Sequence, residues 1–251
     1  LYSGTGTQRV EELLIEMFPA AKVKRLDMDT GKRGGEISKI LRQFSDGNID
    51  ILLGTQMIAK GLDFPNTTLV GIINADIGLH LPDFRSSERI FQLIYQASGR
   101  AGRKDKLGEV VLQTYMPDNP VIKFVSELDI KNFYTSILSE REELNYPPYS
   151  WLAKIEFSGK DFNKIEQIIN RFSCSIIGSY KGLDVLGPAP CYLEKLKNSY
   201  RFQIIFKSNK IVDPNGFLLH KFIIDNIKKL KIDIVSTGYK AKIFFDPLSL
   251  I

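Results

Sequence analysis

Metal ligands and disulfide partners are scarce in this chain: its 251 residues include two cysteines, Cys174 and Cys191, and two histidines, His80 and His220. No Cys-x-x-Cys pair occurs, which leaves no ligand set for a structural zinc ion and predicts free thiols, Cys174 on a helix-like segment and Cys191 on a loop-like one. No apolar run approaches the roughly 18 residues needed to cross a bilayer. Free thiols without a recognisable secretory leader point to the cytoplasm. Also missing are the phosphate-binding loop Gly-x-x-x-x-Gly-Lys-Ser/Thr and any Asp-Glu-x-His segment that would hold magnesium. The glycine-rich Gly4-Thr5-Gly6-Thr7 has no lysine after it and cannot replace that loop. A self-contained nucleoside triphosphatase of the phosphate-loop type is thereby excluded.

What is present is a chain that is 43% hydrophobic, enough for real cores, with an uneven charge. Residues 1–120 carry fifteen Lys and Arg against fifteen Asp and Glu; from Tyr149 onward the count is sixteen against nine. A basic excess on a small domain is the electrostatic footprint of a polyanion or an acidic peptide partner. The plainer alternative is a solvated surface, with Lys228, Lys229 and Lys231 lining an exposed helix face.

Periodicity divides the chain. Thr7 suits an N-cap for a helix over Arg9 to Phe18, with Val10, Leu13, Leu14 and Met17 at helical spacing. Lys22 to Leu26 predicts a strand, Glu36 to Ser45 a helix with Ile37, Ile40, Leu41 and Phe44 on one face, and Ile49 to Leu53 a buried strand. Thr68 to Ile73 predicts another buried strand, Ser86 to Gly99 a helix whose Phe91, Leu93, Ile94 and Tyr95 build the core, and Gly108 to Thr114 a strand. Such alternation implies a parallel sheet with helices on both faces. One connecting helix over Pro120 to Leu144 then meets Pro147-Pro148, which forbids its continuation and predicts an extended linker. Tyr146 and Tyr149 flank the linker, to pack two domains together or to stack on bases. Beyond it the expected order is strand (Trp151 to Ser158), helix (Asp161 to Gly178), strands (Leu183 to Leu186, Ser199 to Lys207), helix (Pro214 to Leu230) and strand (Asp233 to Ile243). That β-α-β-β-α-β succession is the ferredoxin-like plan. The expected divisions are 1–120, a connector 121–148, and 149–251.

Two runs carry chemistry. In Gln96-Ala97-Ser98-Gly99-Arg100-Ala101-Gly102-Arg103, two guanidiniums three residues apart each follow a glycine. Arg keeps its charge and offers a planar fork to phosphate oxygens, and glycine lets the backbone approach a ligand closely. A solvated basic turn is the other reading. In Ile51 to Pro65 an apolar strand ends in Gly54-Thr55, followed by Lys60-Gly61-Leu62-Asp63. Ligands of open α/β sheets bind beyond the carboxyl ends of the strands, where Thr55, Lys60, Gly61 and Asp63 would lie.

Together these runs resemble motifs V and VI of superfamily 2 helicases. Gly4 to Leu13, Asp27-Met28-Asp29-Thr30, Gly54-Thr55-Gln56-Met57 with Lys60-Gly61, Pro82-Asp83-Phe84-Arg85 with Glu88-Arg89, and Arg141 to Tyr149 narrow the likeness to the PriA family of replication-restart helicases. Val185 to Pro190, Tyr200-Arg201-Phe202-Gln203 and Asp246-Pro247-Leu248 extend it along the second domain. One departure is Phe244, which stands where the family usually has an acidic residue. The resemblance implies a RecA-like second helicase lobe followed by an α+β C-terminal domain, with the first lobe ahead of Leu1, so that the chain is a C-terminal piece unable to hydrolyse ATP by itself. It implies that ATP and Mg²⁺ are held mostly by the first lobe, and that the family's zinc lies upstream. By the same resemblance Gln96 senses nucleotide, Arg100 and Arg103 bind the γ-phosphate, Gly61 and Asp63 face the nucleotide, and Thr55 contacts a DNA phosphate. Lys60 is a phosphate contact or a surface residue, and Asp63 a ribose acceptor or a turn cap. Arg85, Glu88 and Arg89 are read as structural.

In the second domain Lys195, Lys197 and Arg201 gather around the loop between the middle strands as DNA contacts, and Lys207 and Lys210 end the next strand as partner contacts. The family implies forked and single-stranded DNA, the acidic, phenylalanine-ended tail of single-stranded DNA-binding protein, and other primosome proteins as partners. Two function classes stand at this point: part of an ATP-dependent 3′ to 5′ helicase that initiates primosome assembly at stalled forks, or a non-catalytic nucleic-acid or protein-binding module with helicase-like geometry.

Overall fold

The computed structural model describes residues 3–26, 34–55, 66–99, 108–176, 180–229, 235–236 and 239–251. It is a mixed α/β structure in two compact units, Leu1–Leu79 with Ser87–Leu128, and His80–Ser86 with Asp129–Ile251.

In the first unit, α1 (Ser3–Met17), β1 (Val23–Leu26), α2 (Gly34–Ser45), β2 (Ile51–Gly54), β3 (Leu69–Ile72), α3 (Asp76–Leu79), α4 (Ser86–Ser98), β4 (Glu109–Leu112) and α5 (Pro120–Ser126) follow one another. Strands separated by helical crossovers pair parallel: β1 with β2, Val23 opposite Ile51, and β3 with β4, Leu69 opposite Glu109. The face of α2 written in Ile37, Ile40, Leu41 and Phe44 packs against Leu26, Ile49 and Leu52. On α4, Ile90, Phe91, Ile94 and Ala97 are buried. Tyr95, expected in that core, is 40% exposed, although its ring stacks on Phe91 at 6.0 Å. The burial expected for Thr68 to Ile73 is also corrected: β3 and β4 alternate, leaving Leu69, Ile73 and Val111 exposed. Helix α1 begins at Ser3, ahead of the expected Thr7 cap.

The expected single helix over Pro120 to Leu144 is two. Asn119 caps α5 by accepting from the Val121 N–H, with Pro120 at the first position, and Leu128 at φ +56 ends it. Asp129 then caps α6 (Ile130–Glu143). The linker is a turn and not an extended segment: the Tyr149 N–H returns to the Tyr146 carbonyl at 3.0 Å around a cis Pro147-Pro148 bond.

The second unit continues with β5 (Ser150–Gly159), α7 (Phe162–Ser175), β6 (Leu183–Leu196), β7 (Ser199–Asn209), α8 (Phe217–Lys229), β8 (Val235–Ser236) and β9 (Tyr239–Phe245). Its antiparallel sheet runs β6-β7-β5-β9-β8. Alternation explains how one face is built: Ala153, Ile155 and Phe157 of β5, Phe202, Ile204 and Phe206 of β7 and Ala241 of β9 meet Ile165, Ile169 and Phe172 of α7 and Leu219 and Ile223 of α8. Each large side chain buried there stabilises the unit by about 1.5–3 kcal/mol. Both helices therefore pack on the same face. Strand β6 runs ten residues past the expected Leu186, through Gly187-Pro188-Ala189-Pro190, and carries a buried Cys191 where a loop was expected. Prolines fit there because β6 is an edge strand with register shifts between Leu186 and Ala189 and between Pro190 and Lys195.

Candidate functional site

In the first unit, parallel pairing brings the carboxyl ends of paired strands side by side; the segment that begins at Thr55 follows one of those ends, and the Gln96 run follows α4. Thr55 is exposed directly after β2. Gln96 is exposed on the last turn of α4, while Ile94 and Ala97 of that turn are buried, so the amide points away from the core. After it the Gly99 N–H returns to the Tyr95 carbonyl at 3.2 Å. Lys60, Gly61 and Asp63, and Arg100 and Arg103, lie outside the described residues.

Sequence reasoning overlooked the carboxylate beside these ends. Asp76, 5% exposed at the start of α3, accepts from the Thr114 hydroxyl at 2.6 Å and the Tyr115 N–H at 2.9 Å. It joins the segments that follow β3 and β4, and an acid placed directly at a strand exit was the signal that could have found it.

In the second unit the basic residues separate into surface and interior. Lys197 and Asn198, at φ +48 and +61, form a two-residue hairpin turn between β6 and β7. Lys195 is exposed next to it, with its Nζ 4.6 Å from the Tyr200 ring centroid and 3.3 Å from the Tyr200 hydroxyl. Arg201, expected near this loop as a DNA contact, is instead inside β7: its Nε and Nη2 donate to the two Glu156 carboxylate oxygens at 3.1 and 2.7 Å. A bidentate pair of this kind is strong and planar, and it turns the guanidinium inward. That hydrogen bonding to Glu156 raises the Arg201 pKa further. Lys154, 4% exposed, completes the row: its Nζ lies 3.9 Å from Glu156, 5.3 Å from the Phe244 ring centroid, and donates to the Leu250 carbonyl at 3.3 Å. Phe244 sits opposite Lys154 in the β5-β9 register, so an aromatic face meets the ammonium.

Lys207 is likewise not a surface contact. It is 8% exposed, donates to the Leu144 carbonyl at 2.7 Å and lies over the Tyr146 ring at 4.6 Å. Burial pulls its pKa below the ordinary lysine value. Tyr146, in turn, stacks on Phe84 at 5.3 Å and is held within the second unit; burial, followed by the Asp83 charge, raises its phenol pKa. Of the two partner candidates Lys210 is the less buried, half-buried with its Nζ 4.0 Å above the Trp151 ring. The Trp151 indole donates to the Asp213 carbonyl at 2.9 Å, and Gly216, at φ +72, lies close against the ring. Ile211 and Phe217 nearby in sequence are 89% and 67% exposed. Cys191, beside Glu156 and Arg201, has its thiol pKa pushed up to about 11, first by burial and then by the Glu156 charge. Among the described residues no His, Cys, Asp and Glu cluster able to hold a metal ion occurs, and no helix is long and apolar enough to cross a membrane.

The chain is similar in sequence to known proteins. Residues 3–105 match the Helicase conserved C-terminal domain family, and residues 142–234 match the Primosomal protein N C-terminal domain family. The chain is 43% identical over 230 residues to Replication restart protein PriA of Bacillus subtilis, covering 91% of the chain and 28% of that protein. It is 37% identical over 237 residues to the same-named protein of Chlamydia pneumoniae (93% and 32%), and 41% identical over 208 residues to that of Treponema pallidum (82% and 32%). It thus spans about a third of the length of these relatives. With a helicase C-terminal domain and a primosomal C-terminal domain in one chain, and similarity extending over most of its residues, the chain belongs to the PriA family and represents its C-terminal portion.

Proposed function

We propose that this chain supplies the second, RecA-like motor lobe and the ferredoxin-like C-terminal domain of an ATP-dependent 3′ to 5′ DNA helicase that recognises stalled forks and initiates primosome assembly. The observation that carries this reading is the placement of Gln96: exposed at the end of α4, it leads directly into Gly99-Arg100-Ala101-Gly102-Arg103. A second lobe of this kind contributes no phosphate loop. Its arginines act on a γ-phosphate held with Mg²⁺ by the other lobe, neutralising charge as the transition state forms. Gly61 and Asp63 face the same nucleotide, and Thr55 and Lys60 grip the DNA backbone. The chain alone then turns over no ATP. In the second unit Lys195 and Lys197 are the DNA contacts, because their charges stay outside the fold. The Lys210-Trp151 platform, with Ile211 and Phe217 exposed nearby, suits the acidic, phenylalanine-ended tail of single-stranded DNA-binding protein.

The test is Arg100→Ala and Arg103→Ala in the complete protein. DNA-stimulated ATP hydrolysis should fall roughly 10³- to 10⁵-fold, the contribution of an arginine finger, while affinity for forked DNA stays within a few-fold. Turnover that persists in both variants would sink the motor reading and leave a binding module.

A further inference from the structure

The loop His80–Ser86 belongs to the second unit, yet the helix it starts, α4, runs on into the first. At its centre Asp83, 6% exposed, is bonded from both sides. One carboxylate oxygen accepts from the Arg85 N–H at 2.9 Å, and the Asp83 carbonyl accepts from the Ser86 N–H at 2.9 Å, so Asp83 orders the entry to α4. The other oxygen accepts from the Ser249 hydroxyl and from the Leu250 N–H at 3.2 Å, more than 160 residues away in sequence. The C-terminal segment is itself anchored, with Leu250 5% exposed and its carbonyl taken by the buried Lys154 of β5. Phe84 adds a second hold: its ring is stacked on Tyr146, almost parallel at 4°, the Arg141 guanidinium lies 5.2 Å from its centroid, and Arg141 Nη2 donates to its carbonyl at 3.3 Å. A continuous path of hydrogen bonds therefore runs from the sheet, through the chain's last residues, to the entry of α4, the helix whose last turn carries Gln96.

We infer that Asp83 is a positioning residue: latched by Ser249 and Leu250, it fixes the first turn of α4, the helix that carries Gln96. A helix transmits displacement of one end to the other as a rigid rod, whereas a mobile first turn leaves the far end free to shift. The consequence for catalysis rests on the motor reading given above; the latch does not.

The experiment uses the complete protein with Asp83→Asn, Ser249→Ala and the conservative Ser249→Thr, and two readouts. Amide hydrogen exchange at Arg85 to Ile90 and at Leu250 should rise about tenfold in Asp83→Asn, the loss expected when a charge-assisted bond is weakened, and a few-fold in Ser249→Ala, with near-native values restored in Ser249→Thr. Exchange in β5 and β7 reports whether the second unit is still folded. Where Asp83→Asn loses that protection, Ser249→Ala decides. DNA-stimulated ATP turnover should fall in kcat by the same order, with the DNA concentration for half-stimulation within twofold. Unchanged exchange at Arg85 to Ile90 overturns the latch, and raised exchange with unchanged turnover overturns the positioning role. If the wild-type protein turns over no ATP, the motor reading fails and the exchange alone decides the latch.

Discussion

The first unit pairs strands of four residues in parallel; the second is built on antiparallel strands of up to fourteen. The two also place charge differently. In the first, the polar residues of interest are exposed at element ends, Thr55 just beyond β2 and Gln96 on the last turn of α4, so they stand apart from the core. In the second, Lys154, Glu156, Arg201 and Lys207 are taken into one sheet face, and of its candidate basic contacts Lys195 and Lys197 are exposed while Lys210 is half-buried. Buried ion pairs of this kind add little stability relative to an apolar pair, but losing one partner leaves an uncompensated charge. A basic residue count thus overstates the exposed positive charge of the second unit.

The comparison can be broken most forcefully at the shared apolar core of the second unit. Phe157→Ala removes a fully buried ring packed on Phe172 and should cost about 3–5 kcal/mol, read as a lower denaturant midpoint in the fluorescence of Trp151, the chain's single tryptophan. In the first unit the corresponding break is Gly78→Ala, because a β-carbon there would lie 1.9 Å from Cδ1 and 2.5 Å from Cγ1 of the buried Ile90. Overpacking of about 1–3 kcal/mol should lower the protection of α4 amides against exchange and leave the Trp151 midpoint in place. A Trp151 midpoint that moves equally in both variants would show that the two cores do not respond separately. The smallest effect sharpens the charge contrast: Lys195→Ala with Lys197→Ala should leave stability unchanged and lower the slope of log affinity for forked DNA against log salt by about two, one for each phosphate that is no longer neutralised. An unaltered slope removes the hairpin from the DNA surface.

The readable parts of the sequence were those governed by local spacing. The face of α2 follows from a period of 3.6 and packed as read, and the strands expected over Trp151 to Ser158 and Ser199 to Lys207 formed within β5 and β7. Strand β6 was cut short because Gly187, Pro188 and Pro190 read as loop residues; an edge strand tolerates them, since its outward N–H groups have no ladder bond to lose. The interior placement of Arg201 and Lys207 depended on strand register, Ser158 opposite Arg201 and Leu152 opposite Lys207, which sequence spacing does not specify. Asp83 belonged to a recognised motif, but its partners Ser249 and Leu250 lie at the far end of the chain, beyond any local pattern. The arginine-bearing and Lys60-Gly61-Asp63 segments remain legible through their motifs alone.

The Lys197-Asn198 turn has a consequence for recognition. Both of its residues already hold the left-handed backbone conformation that a tight hairpin demands. Were Lys197 to contact DNA as proposed, a phosphate would meet an ammonium group whose main chain is ordered in advance, and capture would restrict only the lysine's own methylene torsions. A long flexible loop with the same charge would have to surrender its backbone freedom at that moment.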